Sequence, residues 1–381
     1  MAGVAIIGTG VIPCGKHFDR TIVDMGADVS LLALQDAGIK PAMVEAAFFG
    51  NILGGRLFSD FTIGQHVFWE VGIHKIPVLN IENACTSGSS GIFLAYNMIA
   101  AGQIEVAIVA GVEKMNVPEM GLVDSGRSEP DTLMGLVAPA TFGIRARRHM
   151  EEFGTTAEQL AMVSVKNRKN AINNPVAQFR KPITIEEVLN SPMVADPLTR
   201  YQCSPLADGA AAVVLCSAQL AKKIGRGVTI DSIVLNSGSY ENPQDLLRWE
   251  TVMRTANLAY EKAGIGPDAL DVAECHDAFS ITEILEYEGL GFCKPGEGGR
   301  FVEEGHSSMG GKLPVNPSGG LLSRGHPVGA SGILQVVEIV TQLRGEAGDR
   351  QVKGARIGLT QNMGGDKSGD VRACLVSILS A

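Results

Sequence analysis

Two stretches of the chain set a reactive side chain in the same frame of small residues. Cys85 opens Cys-Thr-Ser-Gly-Ser-Ser-Gly-Ile-Phe, and His326 opens His-Pro-Val-Gly-Ala-Ser-Gly-Ile-Leu. In both, the reactive residue stands three positions before a glycine, followed by a small residue, Ser-Gly and an apolar run. After a helix-length stretch each frame leads to an apolar strand candidate, residues 106–110 in one case and 356–360 in the other. The repetition implies two similar halves, folded so that equivalent helix starts face one site. One half supplies a thiol and the other an imidazole, the parts of an activated sulfur nucleophile.

Cys85, placed near a helix start, would feel the positive end of the helix dipole, which favours thiolate. Its small neighbours Ala84, Thr86, Ser87 and Gly88 leave room for a substrate. The competing reading is a small buried hydrophobe. Pro327 fits the first turn of a helix, which puts His326 at a strand-to-helix turn like that of Cys85. An imidazole there can deprotonate the thiol and later hydrogen-bond a carbonyl oxygen. His276 falls at the end of a strand candidate, where α/β sites gather, and would complete a Cys-His-His set. Its plainer reading is a ring bonded to backbone or to Asp277, which itself suits orienting a neighbouring helix or ring. Gly364, in the turn-like run 361–365, could offer its N–H to an oxyanion beside the N–H of Cys85, or be an ordinary turn glycine. Asn316, in the turn 316–320, is a further oxyanion or positioning candidate. Cys203, Cys216 and Cys374 belong to apolar segments, and Cys275 should face away from its neighbour His276. Cys293 lies on a loop. No His/Asp/Glu spacing suggests a metal site.

The elements that must position these residues alternate. Strand candidates at 4–7, 46–51, 106–110, 208–215, 228–237, 271–275, 356–360 and 373–378 are separated by helical stretches at 24–37, 87–101, 248–264 and 281–289. Continuous apolar strands between helices argue an α/β fold with a covered sheet. Gly8-Thr9-Gly10 after the first strand lacks the third glycine of a dinucleotide loop, whose place is taken by Pro13. Residues 117–200 carry prolines and mixed charge and read as an insertion on the first half. Within 141–181 stand eight Lys/Arg against three Glu. That run suits either a patch for the phosphates of a nucleotide-bearing substrate or solvated helix faces. Residues 293–311 read as a Gly-rich, charged loop.

Length and composition bound the answer. A chain of 381 residues, 45% hydrophobic, is expected to hold two or three domains. The net charge of −9 argues against nucleic acid as a partner. Seven cysteines without a Cys-x-x-Cys pair argue against a disulfide framework and for a reducing compartment. No apolar run is long enough for a membrane span and the N-terminus has no signal pattern, so the expectation is a cytoplasmic protein.

Four blocks together resemble the active-site motifs of thiolases. They are Asn83-Ala84-Cys85-Thr86-Ser87-Gly88, His276-Asp277-Ala278-Phe279, Gly325-His326-Pro327-Val328-Gly329-Ala330-Ser331-Gly332 and Asn362-Met363-Gly364-Gly365. The His-Asp-x-Phe form is similar to the sterol-carrier-protein and archaeal types, some of which work with a small zinc-ribbon/OB-fold subunit. The resemblance implies an α/β fold of two similar, five-stranded α/β/α/β/α halves (five layers in all) with an inserted loop domain. Its divisions would be 1–116 with 201–226, 117–200, and 227–381. It implies a homodimer with no permanently bound cofactor, using coenzyme A as co-substrate. The activity implied is cleavage of a 3-oxoacyl-CoA, or the reverse Claisen condensation, through a Cys85 acyl-enzyme. Substrates range from acetoacetyl-CoA to bulkier or aromatic esters such as benzoylsuccinyl-CoA. By position, Cys85 would take the acyl group and His326 would activate it. His276 and His326 would hold the thioester oxygen of the second substrate, and the Cys85 and Gly364 N–H groups that of the acyl-enzyme. Two departures matter. Asn362 stands where many thiolases have a second cysteine, and Ala278 where sterol-carrier types often have one. The group moving the α-carbon proton is thus open between His276 and a bound water. The alternatives are a thiolase-like retro-aldol lyase and a non-catalytic subunit of the same fold.

Overall fold

The computed structural model describes residues 3–118, 121, 130–239, 245–367 and 369–381. Its strands are β1 (Val4–Val11), β2 (Ala46–Gly50), β3 (Val78–Ile81), β4 (Val106–Glu113), β5 (Met193–Ala195), β6 (Leu198–Thr199), β7 (Gly209–Ser217), β8 (Val228–Ser237), β9 (Val272–Glu274), β10 (Ile357–Lys367) and β11 (Asp370–Ser380). Nine form one sheet in the order β3-β2-β4-β7-β1-β8-β11-β10-β9, and β5 and β6 form a separate ribbon. The sheet repeats itself outward from the short antiparallel β1–β8 joint, where Ala5 pairs with Thr229 and Ile6 with Val228. On each side come two antiparallel pairings and then a parallel one: β1–β7, β7–β4, β4–β2 on one side and β8–β11, β11–β10, β10–β9 on the other. Beyond β2 lies parallel β3, but beyond β9 there is only a parallel bridge from Ala273 to Val315. The second half therefore has four strands and a bridge where five strands are expected. Pro314 and Pro317 flank Val315 and lack the N–H groups that a longer ladder needs.

Residue alternation along the strands separates the layers. In β4, Ala107 and Val109 join the core that holds Ile92, Ala95 and Ile99 of helix Ser87–Ala100 and Ile333, Val336 and Val340 of helix Ser331–Leu343. Ile108, Ala110 and Val112 point the other way, to the core under helix Ile22–Ala37. In β11 the same rule sends Leu375 and Leu379 to the central helices, and Cys374, Val376 and Ile378 to the core under helix Glu250–Ala263. The layers are thus α/β/α/β/α, with the Cys85 and His326 helices in the middle. Gly8 and Gly10 lie within β1, where a Cβ would stand 2.2 Å from Ala33 O and 2.1 Å from Val29 O. They let helix Ile22–Ala37 lie directly on the strand.

Helices Ala138–Phe153 and Ala157–Ala171 of the 117–200 segment pack against the second half, chiefly against helix Ser280–Gly289. Lys166 Nζ pairs with Glu283 at 2.7 Å and His149 Nε2 with Glu288 at 3.1 Å. Three local expectations change. The helix after His326 begins at Ser331, so Pro327 lies ahead of its first turn. The run 361–365 is not a turn: β10 continues through it, with Gly364 opposite Ala373. The loop 293–311 contains the short helix Gly298–Glu303.

Candidate active site

Cys85 sits two residues ahead of helix Ser87–Ala100, on a turn with Ala84 at φ +46°, a left-handed conformation that alanine rarely adopts. The Ser and Thr of the frame hold this turn. Ser87 Oγ donates to Ala84 O (2.6 Å) and accepts from Asn83 N (2.8 Å), while Asn83 Nδ2 donates to Ser90 Oγ (2.9 Å). His326 follows Gly325, whose φ of +113° favours glycine, and Ala330 N bonds back to Pro327 O at 2.9 Å. His276 follows β9, and its N–H donates to Gln361 Oε1 of β10 at 3.0 Å. Both termini of the sequence repeat and the end of β9 thus converge. The Cys85 sulfur and one nitrogen from each of His276 and His326 lie within 4.8 Å of one another. The two imidazoles meet edge to face, with centroids 5.0 Å apart at 82°.

The frame glycines bring the halves into contact. A Cβ on Gly88 would stand 2.6 Å from Gly329 O, and one on Gly332 would stand 2.7 Å from Ser89 Cβ. A Cβ on Gly364 would stand 2.9 Å from Cys85 N, so this glycine is needed for close approach, not for a turn. Glu113, at the end of β4, ties the loops together. Its carboxylate accepts from Asn51 Nδ2 (2.9 Å), Leu53 N (3.1 Å), Ile52 N (3.1 Å) and Gly329 N (3.1 Å).

Hydrogen bonds set the tautomers. Ser331 Oγ donates to Pro327 O (2.9 Å) and so accepts from His326 Nδ1–H (2.7 Å), leaving Nε2 as a proton acceptor. Asn362 Nδ2 donates to His276 Nδ1 (2.9 Å), and its Oδ1 accepts from Ser89 Oγ (2.7 Å), the nearer of that hydroxyl's two acceptors, the other being Thr86 O (3.0 Å). His276 therefore carries its proton on Nε2, as a donor. The site is uncharged at rest. Cys85 is half-buried, yet desolvation of its sulfur, with the Glu113 carboxylate adding, pushes the thiol up to about 12. Burial, then Arg324, takes His326 down to about 3, and burial, then His326, takes His276 well below the usual histidine range. Burial thus outweighs the helix dipole, and the expectation of a resting thiolate is corrected. Glu113 itself is raised to about 7 by burial, against the pull of its donors.

Asn316 does not join the three. Its Oδ1 accepts from Cys275 N (2.9 Å) and its Nδ2 donates to Glu283 (2.8 Å), so it braces the end of β9 and offers nothing to an oxyanion beside Cys85. Asp277 receives Leu321 N (2.6 Å) and Leu322 N (3.2 Å), capping helix Gly320–Arg324, and Asn167 Nδ2 (2.7 Å). The basic run 141–181 is largely committed. Arg145, Arg147, Arg148 and Lys166 are ion-paired, to Asp366, Asp196, Glu152 and Glu283, and Arg168 lies over Phe179 and Tyr201. A thiol and two imidazoles this close also form a ligand set for a soft cation such as zinc, which no sequence spacing foretold. Such an ion would occupy the atoms that acyl transfer needs. Sequence reasoning missed Glu113 and the roles of Asn362, Ser331 and Ser89. An acidic residue closing an apolar strand was the available sign for Glu113.

A buried thiol facing two imidazoles, at the junction of two like α/β halves, defines a class of enzymes that pass acyl groups through sulfur. Residues 4–219 match the thiolase N-terminal domain and residues 234–377 the thiolase C-terminal domain-like family. An acetyl-CoA acetyltransferase of Methanothermobacter thermautotrophicus is 43% identical over 96% of this chain and 97% of its own. A benzoylsuccinyl-CoA thiolase subunit of Thauera aromatica is 40% identical over 95% and 94%. Among solved structures, the Ltp2-ChsH2(DUF35) aldolase superposes with a TM-score of 0.84 at 26% identity, covering 100% of this chain and 98% of that one. The chain belongs to the thiolase family and is an acyltransferase.

Proposed function

We propose that the chain cleaves a 3-oxoacyl-CoA with coenzyme A as co-substrate, or runs the reverse condensation, through an acyl group on Cys85. The observation carrying this is the convergence of one sulfur, one imidazole set as acceptor and one set as donor within 4.8 Å. In cleavage, His326 Nε2 takes the Cys85 proton and the sulfur attacks the 3-oxo carbon. The bond between the second and third carbons breaks and leaves the acyl group on sulfur. Coenzyme A then accepts that group and Cys85 is restored. The His276 Nε2–H suits the thioester oxygen of the departing acyl-CoA, and the Cys85 and Gly364 backbone, in close contact, suits the acyl-enzyme oxygen. The two relatives named above favour acetoacetyl-CoA or a bulkier aromatic ester as substrate.

The aldolase likeness keeps a retro-aldol lyase as the second reading. Need for free coenzyme A separates the two, since a lyase releases its product without it. Cys85→Ala should abolish the mass increase of the intact protein on mixing with 3-oxoacyl-CoA esters and lower turnover by at least ~10³. Normal turnover in that variant would remove the proposal. A second copy of the chain would meet the exposed edge strand β3, where Leu79 is 41% exposed. The pairing of Ltp2 with ChsH2(DUF35) in the aldolase supports a small accessory subunit for this chain too. Sedimentation with and without such a subunit tests both. No helix of the described residues is long and apolar enough to cross a membrane.

A further inference from the structure

We infer that His326 is the proton carrier for both the sulfur and the α-carbon, with His276 held by Asn362 as a hydrogen-bond donor only. The inference rests on the thiolase reading above and settles the proton that the missing cysteines leave unassigned.

The argument is one of elimination among the described residues. Each nearby carboxylate is committed elsewhere. Glu113 holds the loops at Asn51 and Gly329, Glu82 accepts from Ala84 N (2.9 Å), Asp277 caps helix Gly320–Arg324, Glu283 pairs with Lys166, Glu286 stands against the Gln361 side chain, and Glu274 pairs with Arg324 at 3.1 Å. Cys275 Sγ is engaged by Asn316 Nδ2 (3.5 Å) and Cys374 Sγ by Gln361 Nε2 (3.8 Å). Ala278 and Asn362 carry no titratable group. Two imidazoles remain. Neutral His276 has its proton on Nε2 and its Nδ1 lone pair engaged by Asn362 Nδ2. Giving up that proton would leave an imidazolate with no second proton in reach. His326 has a free Nε2 lone pair, and its Nδ1–H is already relayed through Ser331 to Pro327 O, an arrangement that accommodates the imidazolium.

The steps balance. The Cys85 S–H proton passes to His326 Nε2 and the sulfur bonds the 3-oxo carbon. The bond between the second and third carbons breaks. Its electron pair stays on the second carbon and spreads to the thioester oxygen, held by the His276 N–H. The Nε2 proton then moves to that carbon, releasing acyl-CoA and restoring neutral His326. In the second half-reaction the coenzyme A thiol gives its proton to Nε2 and attacks the acyl carbon. The Cys85 sulfur leaves with the bonding pair and takes the proton back. No oxidant, metal or further base enters.

The test separates α-carbon chemistry from acylation by removing the sulfur. Full-length Cys85→Ala is incubated with acetyl-CoA in heavy water, and deuterium incorporation at the acetyl methyl is followed by mass. Adding His326→Asn, which donates but cannot accept a proton, should cut wash-in by about 10²–10⁴. Adding His276→Asn, which keeps an N–H donor, should cut it far less, by about tenfold. Added imidazole should restore wash-in to Cys85→Ala/His326→Ala and not to Cys85→Ala/His276→Ala, a response that mere structural damage does not give. Wash-in that survives both His326 substitutions overturns the inference, as does loss and imidazole rescue at His276 instead. If the wild-type protein is acylated by a 3-oxoacyl-CoA while either of these holds, only this inference falls. If it is never acylated, the thiolase reading falls and takes the inference with it.

Discussion

The chemistry of Cys85 is decided by water exclusion more than by the nearby helix end. The dipole acts within about a turn and is worth ~0.3–1 kcal/mol at an exposed terminus. Desolvation of the sulfur works against it, and Glu113 adds a like charge. A thiol near 12 beside an imidazole near 3 stays neutral across the physiological range. The sign follows directly: below 12 each unit of pH raises the thiolate fraction about tenfold. Iodoacetamide alkylation of Cys85 in the free enzyme should therefore climb about tenfold per pH unit from roughly pH 7 to 9.5, with no plateau. A plateau near neutrality would reveal a thiolate–imidazolium pair already formed at rest and would reverse this account. Cys85, His276 and His326 were legible in the sequence because a reactive residue in a repeated small-residue frame is conspicuous. Asn362 was visible only as a missing cysteine, since its amide acts through a ring 86 positions away in the chain. Asn316 misled because its positive φ marks a turn whose side chain serves Glu283 and Cys275 instead.

At the scale of elements, the two frames are packing devices as much as catalytic ones. Gly329 is the tightest point: a Cβ there would stand 2.9 Å from Asn51 Cα, 2.9 Å from Glu113 Oε2 and 3.0 Å from Gly50 O. Two of these neighbours are backbone atoms in or beside β2, and the third is a carboxylate held by four donors, so little can yield. Gly329→Ala should destabilise the fold by ~1–3 kcal/mol in urea titrations. It should also lower kcat/KM by ~10² through displacement of His326, since such misplacement is costly in oriented sites. Unchanged stability with unchanged kcat/KM would show that the junction is looser than described. Helices Ser87–Ala100 and Glu250–Ala263 lie within two residues of their sequence-based bounds because apolar period and glycine stops agree. The loop at Pro327 and the continuation of β10 through Gly364 were not legible. In both, tertiary contact across the halves overrides a local turn signal, and one chain segment does not encode the position of its partner.

The whole molecule is two halves read twice and a segment that closes over one of them. The repeat of Cys85 and His326 foretold the first, and the sheet order realises it around the β1–β8 joint. The second was legible only as a change in composition, because its helices join the second-half core through residues such as Phe142, Leu160 and Val163 as well as buried polar pairs, and a local pattern does not name its distant partner. Lys166, Asn167 and His149 reach Glu283 and Glu288 of helix Ser280–Gly289, which also carries Glu286. Of these, Glu286 is fully buried. Burial raises its carboxyl well above the usual range, Asp277 and Glu283 add to this, and Gln361 opposes it. Because the folded state prefers the protonated acid, its contribution is fully present below the unfolded value near 4.5 and is lost as pH rises. Glu286→Gln keeps the shape and removes the titration. Its stability should match the wild type near pH 4.5 and exceed it increasingly above, by up to about 1.4 kcal/mol per pH unit until the folded acid ionises. Urea unfolding of both proteins at several pH values from mildly acidic to mildly alkaline measures this. A difference that does not change with pH would mean Glu286 ionises as freely in the fold as in water, and burial would not govern this carboxyl.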